Sequence, residues 1–294
     1  MGCVPWTAGR KPTSCKILPT TKYRYNSSAM VLFPFEHSWS DSPHYLYKGP
    51  ASLTTIISPF CIQTTIQTSA TPPSYTMTSQ IRFLIISDTH SAWPYTFANP
   101  SPPADVLLHC GDLTQVGGLP AYRKAIEDIK TASAELKLII AGNHDLDLDE
   151  EWVHANAQEE DDIEDCRRCV EFMNAQQEFG IHYLTEGLHS FNLCDGRTFT
   201  VYASPYTPEF NGYAFAYGKD DMRFLNIPSS VDILTTHGPP LFHSQPKYTL
   251  DVDKDAFYCG CERLADAVQW RRPRLHAFGH IHEGRGAVRI DWEC

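Results

Sequence analysis

Arg82-Phe83-Leu84-Ile85-Ile86-Ser87-Asp88-Thr89-His90 is an apolar run that stops abruptly in a polar cluster. A short uncharged run suits a strand buried on both faces, and the polar residues then fall at its carboxyl end. The same layout returns four times. Val106 to Cys110 precedes Gly111-Asp112, and Leu136 to Ala141 precedes Gly142-Asn143-His144-Asp145. Val231 to Thr236 precedes His237-Gly238, and Leu275 to Phe278 precedes Gly279-His280-Ile281-His282. Between the runs lie amphipathic segments, as expected where covering helices separate buried strands.

The spacing predicts helices over Pro120 to Thr131, with proline in the first turn, over Ile163 to Phe179, stopped by Gly180, and over Glu262 to Trp270. Ile163, Cys166, Val170 and Met173 share one face of the middle helix and predict its buried side. Asp195-Gly196 predicts a hairpin.

Parallel buried strands deliver their carboxyl ends to a common rim, where ligands of open α/β sheets bind. Five polar clusters at that rim therefore converge on one site of carboxylate, imidazole and amide. Hard oxygen and borderline nitrogen donors suit divalent Mn, Fe, Zn, Co or Ni better than Ca. One ion uses three or four donors, and about seven are present, so a pair of ions sharing a carboxylate is the economical reading.

The series Asp88-Thr89-His90, Gly111-Asp112, Gly142-Asn143-His144-Asp145, the single His237 and Gly279-His280-Ile281-His282, in this order, resembles the calcineurin-like metallophosphoesterase superfamily. Ser87 to Ser91, Gly111-Asp112-Leu113-Thr114 and Gly279 to Glu283 resemble its metallophosphoesterase-domain-containing branch. The resemblance covers residues 81 to about 290. It implies an α/β fold, a sandwich of two β-sheets flanked by helices in four layers (αββα). It also implies two divalent ions, Mn first and Fe, Zn, Co, Ni or Mg as alternatives. Asp88, His90, Asp112 and His282 would hold one ion and Asp112, Asn143, His237 and His280 the other, with Asp112 bridging. His144 would donate a proton to the leaving oxygen, Asp145 would orient its ring, and a bridging hydroxide would attack phosphorus.

Two departures from the family matter. The chain stops twelve residues after His282, where relatives continue into further strands, so the expectation is a second sheet truncated at the C-terminus. Protein phosphatases of the superfamily place an arginine soon after the Gly-Asp pair, whereas here Asp112 is followed by Leu113-Thr114-Gln115. That points away from phosphoproteins and towards a phosphodiesterase on small substrates such as cyclic nucleotides. The alternatives are a phosphomonoesterase on nucleotides or sugar phosphates and a weakly active nucleotide-binding regulatory module.

Other chemistry-bearing residues have plainer readings. His109 and His276 sit inside apolar runs and are expected to be buried and hydrogen-bonded. Cys166 and Cys169, and Cys259 and Cys261, are expected to pack or cap helices rather than bind zinc. Cys110 is expected to be structural. The acids from Glu159 to Asp165, and Asp147, Asp149, Glu150 and Glu151, are expected on solvated helix beginnings. No glycine-rich nucleotide-cradling motif is present, so ATP or NAD is not expected.

The charge is uneven along the 294 residues: residues 1–80 hold six basic and two acidic side chains, leaving 18 and 33 for residues 81–294, a net −15. Such a domain is a poor fit to nucleic-acid phosphates, and no 18-residue apolar run predicts a membrane span. The expected partner is a small phosphoester, with no membrane and no nucleic acid, and the residues leave the oligomeric state open. Residues 1–80, with 33 uncharged residues between Lys48 and Arg82, read as a Ser/Thr/Pro-rich disordered extension, and residues 81–294 as the metallophosphoesterase domain. Met77 is a candidate natural start. Arg10, Lys11, Lys16, Lys22 and Arg24 leave two readings of the beginning, a mitochondrial transit peptide or, preferred, a solvated tail. The expected location is intracellular, in the cytoplasm, with the ten cysteines as reduced thiols.

Overall fold

The computed structural model describes residues 79–242 and 248–292 and, ahead of them, four strands: β1 (Ser28–Leu32), β2 (Tyr45–Lys48), β3 (Leu53–Ile57) and β4 (Ile62–Thr68). The chain continues through β5 (Ser79–Ile86), β6 (Val106–Cys110), α1 (Leu119–Lys130), β7 (Leu136–Ile140), α2 (Glu150–Asn156), α3 (Glu160–Asn174), β8 (Ile181–Tyr183), β9 (Gly187–Asn192) and β10 (Thr198–Ser204). It closes with β11 (Thr207–Pro208), β12 (Ala216–Tyr217), β13 (Ile233–Thr236), α4 (Glu262–Arg271), β14 (Leu275–Ala277) and β15 (Val288–Asp291).

Alternation along β5 sets the layers. Phe83 and Ile85 enter the main core, while Leu84 and Ile86 pack on the opposite face with Leu107 and Ala132. Seven strands form the first sheet, in the order β2-β3-β4-β5-β6-β7-β8, with β5 to β8 parallel. Six form the second, β15-β1-β14-β13-β10-β9, in which β10, β13 and β14 are parallel. The inner faces meet through Phe83, Val106, Leu108 and Leu138 against Phe199, Val201, Ile233 and Leu275. Phe83 and Phe199 make an edge-to-face pair, centroids 5.5 Å apart.

Helices α1 and α3 cover the outer face of the first sheet, joining Tyr122, Ile126, Ile129 and Met173 to Ile139 and Ile181. Helix α4 adds Leu264, Ala265 and Val268 on the side of the second sheet, completing a helix–sheet–sheet–helix sandwich. No helix among the described residues is long and apolar enough to cross a membrane.

Several expectations need correction. Helix α3 begins at Glu160 rather than Ile163 and ends at Asn174, and a separate turn of 3₁₀ helix spans Gln177–Phe179. Its buried face is Cys166, Cys169 and Met173, whereas Ile163 is exposed, because the acidic first turn carries the capping box of Glu159 and Asp162 outside the sheet's cover. Within residues 1–80, expected to lack regular structure, β1 to β4 are strands, and β4 pairs with β5 over Thr68↔Ser79 to Ile62↔Ile85. Their Ile and Thr content suits a pleated surface, which the search for helical and alternating periods passed over. The remainder of that segment, including Arg10, Lys11, Lys16, Lys22, Arg24 and Met77, lies outside the described residues.

The cysteines do as expected where they are described. Cys166 and Cys169 are buried free thiols, and Cys261 caps α4, its Sγ accepting from Leu264 N at 3.4 Å. Cys110 is fully buried, and burial pushes its thiol up to about 12.

Candidate metal centre

Five strand ends, β5, β6 and β7 from the first sheet and β13 and β14 from the second, place all seven expected ligands on one rim. Four of these, Asp88 (φ 52°), His90 (φ 44°), Asp112 (φ 54°) and His280 (φ 74°), take left-handed backbone conformations. Each costs about 1–3 kcal/mol for a side chain other than glycine and persists where the surroundings dictate it. The surroundings here are main-chain bonds between loops: Asp88 N to Gly111 O (2.9 Å), His90 N to Asp112 O (3.0 Å), Ser91 N to Leu113 O (2.8 Å) and Gly279 N to His237 O (2.9 Å). Gly142 permits a close approach of the loops, since a Cβ there would collide with the Asp112 carboxylate.

The side chains fall into two overlapping groups, Asp88 with His90 and His282, and Asp88 with Asp112 and His237. In the second group, His237 is fully buried and donates from Nδ1 to the Cys110 carbonyl at 2.8 Å. Its Nε2 then faces Asp112 Oδ2 at 3.3 Å and Asn143 Oδ1 at 3.0 Å. Asn143 Oδ1 also meets His280 Nδ1 at 2.8 Å. In the first group, His90 turns Nδ1 to the Thr114 carbonyl at 3.2 Å, leaving Nε2 directed at His282 Nε2 (3.3 Å) and Asp112 Oδ2 (3.7 Å). His282 Nε2 lies 3.5 Å from Asp88 Oδ1, and Asp88 accepts the His280 amide on both oxygens.

This donor set fits divalent ions. Main-chain carbonyls fix which nitrogen of His90 and His237 carries hydrogen, so the other nitrogens and the carboxylate oxygens converge with their lone pairs on the same space. Positive charge is required there. Without metal, the His237 ring supplies part of it: burial works against the charge, but Asp112 and Asp88 outweigh it and raise the ring to about 9. Asp112 is itself held below the carboxylate range, His237 and His90 overcoming the opposing effect of burial. His280 is pulled down to about 4 by burial and by the neighbouring His237. Asp112 Oδ2 lies 3.7 Å from His90 Nε2 and 3.3 Å from His237 Nε2, and Asp88 is common to the two groups.

His144 and Asp145 separate. His144 is half-buried beside the centre, its ring 4.9 Å from that of His90 and its amide bonded to Asp112 Oδ1 at 2.9 Å. The expectation that Asp145 orients this ring is corrected. The ring nitrogen Nδ1 donates to the Gln115 carbonyl at 2.8 Å, while the buried Asp145 carboxylate points the other way. Asp145 accepts from Gly142 N (2.9 Å), Leu113 N (3.1 Å), Thr114 N (3.0 Å) and Thr114 Oγ1 (2.9 Å). Consecutive residues in this turn face opposite sides, so Asp145 ties the loops after β6 and β7 together.

Asp147 and Asp149 also depart from the solvated reading. Asp147 binds Gly118 N, and buried Asp149 caps α2 at Trp152 N (3.1 Å) while accepting Phe215 N (2.6 Å). Through Asp149 the β11–β12 turn is fixed at the site, and it lays Tyr213 against His144, ring centroids 4.6 Å apart. Sequence reading missed Tyr213; the only signal was the Asn211-Gly212 turn pair beside it. His109 and His276 behave as expected, buried and bonded to Thr89 Oγ1 (3.0 Å) and Thr236 Oγ1 (2.8 Å).

Comparison with known proteins agrees with this geometry. The chain is 36% identical over 226 residues to metallophosphoesterase domain-containing protein 1 of Homo sapiens, and equally to that of Mus musculus. The match takes in 74% of this chain and 64% of either relative, so it spans under two thirds of their length. It is also 33% identical over 217 residues to a protein of Emericella nidulans described as "Probable rhamnogalacturonate lyase C", covering 72% of this chain and 18% of that protein. Residues 81–284 match the family described as calcineurin-like phosphoesterase, and this span begins in β5 and takes in every strand end of the rim. The chain therefore belongs to the calcineurin-like phosphoesterase family.

Proposed function

We propose that this chain is a metal-dependent phosphodiesterase for small substrates, with cyclic nucleotides as the first class to try. The observation that carries the reading is Asp112 Oδ2, set 3.3 Å from His237 Nε2 and 3.7 Å from His90 Nε2, with the free nitrogens of both rings directed at it. Asp88, His90, Asp112 and His282 would hold one divalent ion and Asp112, Asn143, His237 and His280 a second, Mn being the first choice. Bound there, the ions lower the pKa of water and neutralise charge on the phosphoryl oxygens.

The chain's own residues do the rest. With Nδ1 held by the Gln115 carbonyl, His144 has only Nε2 free, and that nitrogen passes a proton to the leaving oxygen. Asp145 keeps the two loops that carry Asp112 and Asn143 in register. The preference for diesters is supported by the run Leu113-Thr114-Gln115-Val116-Gly117 after Asp112, which carries no arginine to grip a phosphate.

The test is hydrolysis by the Mn-loaded full chain of bis(p-nitrophenyl) phosphate against p-nitrophenyl phosphate. Diester turnover exceeding monoester turnover is expected. A preference for the monoester would replace the reading with a phosphomonoesterase, and binding of nucleotide without turnover of either would replace it with a binding module.

A further inference from the structure

We infer that Tyr213 is the positioning residue for His144, an inference that rests on the proposed hydrolytic role of that histidine. The ring of His144 is bounded on two sides. His90 meets it edge-on at 4.9 Å and 85°, and Tyr213 lies over it at 4.6 Å and 39°. Its Nδ1 is fixed by the Gln115 carbonyl. A histidine at a solvent-facing rim otherwise samples several side-chain rotamers, and a carboxylate partner is the usual remedy. Asp145 is turned away, so the tilted ring contact of Tyr213 takes its place.

The turn that brings Tyr213 there is built for that position. Asn211 (φ 55°), Gly212 (φ 70°) and Phe215 (φ 51°) are left-handed, which folds residues 207–217 back on themselves. Two bonds then anchor the turn to the segment that follows His144: Trp152 Nε1 donates to Gly212 O at 2.8 Å, and Phe215 N donates to Asp149 Oδ2 at 2.6 Å. Asp149 is buried and Trp152 half-buried, so Tyr213 and His144 share one frame across about seventy residues of sequence. The contact is made by the ring, so phenylalanine preserves it and leucine does not.

The test uses the full chain and four variants: Tyr213→Leu, Tyr213→Phe, His144→Ala and the double variant Tyr213→Leu/His144→Ala. In the metal-free protein, the His144 ring-proton resonances, assigned by their loss in His144→Ala, are expected to shift in Tyr213→Leu and to stay near their wild-type positions in Tyr213→Phe. Turnover of bis(p-nitrophenyl) phosphate is expected to fall in kcat by about tenfold or more in Tyr213→Leu, with KM within about twofold, because misplacing a reacting group costs rate rather than binding. Tyr213→Phe is expected to restore kcat, and Tyr213→Leu to have no further effect once His144 is alanine. Unmoved His144 resonances in Tyr213→Leu, or equal losses in the presence and absence of His144, would overturn the inference while leaving the hydrolase intact. Full turnover in His144→Ala, or none in the wild type, would overturn the role of His144 in the proposed function and this inference with it.

Discussion

The two halves of the centre differ in access. Asp112 and His237 sit at 2% and 0% side-chain exposure, whereas His90 and His282 sit at 15% and 35%. The closed half is held by the Cys110 carbonyl and by loops locked to each other. The open half carries His144 and Tyr213 beside it. On the proposed function, the closed half would retain a cation and the open half would receive the phosphoester, with Asp112 within reach of both.

The largest effect is expected where both halves meet. Asp112→Asn should lower diester turnover by roughly three orders of magnitude, about 4 kcal/mol of barrier, with the protein still folded by circular dichroism. A loss confined to a few-fold would break the division, because it would mean that one half suffices. His144→Ala should lower kcat by about 10²-fold, as removal of a proton donor does, and leave metal content by elemental analysis unchanged. Loss of metal in that variant would move His144 into the ligand set.

Next in size is the contrast between the halves themselves. His237→Ala should weaken metal retention by more than about 100-fold and His282→Ala by only about tenfold, read from metal content after dialysis against graded chelator. Equal losses would erase the distinction. The smallest effect lies beneath the closed half, at His276, which burial pulls down from 6.5 to about 3. Below about pH 6.5 the unfolded chain takes up a proton that the folded chain refuses. The contribution of His276 to stability is thus fully present above about pH 6.5 and is lost as pH falls towards about 3. Urea midpoints of metal-free protein at about pH 7.5 and about pH 4.5 should diverge less in His276→Gln, which can still donate to Thr236, than in the wild type. Equal divergence would show that His276 does not contribute to acid lability.

What could be read from the sequence followed from strands that announce themselves. Val106–Cys110 is continuous and buried throughout, and its end must be Gly111-Asp112; the same logic located Asn143, His237 and His280 within two or three residues of a strand end. The Asp195-Gly196 hairpin was equally legible, joining β9 to β10. Asp145 was not, because adjacency along the chain says nothing about direction in a turn, and three of its four bonds come from backbone groups that carry no sequence signal. Tyr213 was hidden for a related reason: its contact with His144 depends on two short strands of two residues each and on caps supplied by Asp149 and Trp152. Strands β1 to β4 escaped because runs such as Leu53–Ile57 and Ile62–Thr68 are rich in Thr and Ile but lack the charged punctuation that marks strands elsewhere in the chain.

The most direct test of the central claim measures metal content and diester turnover on the same sample of the full chain, before chelation, after chelation and after Mn is restored, with Asp112→Asn in parallel. The account predicts close to two ions per chain, turnover that disappears with them and returns with Mn, and an Asp112→Asn protein that recovers neither fully. Turnover that survives chelation, or that persists in Asp112→Asn, would contradict it.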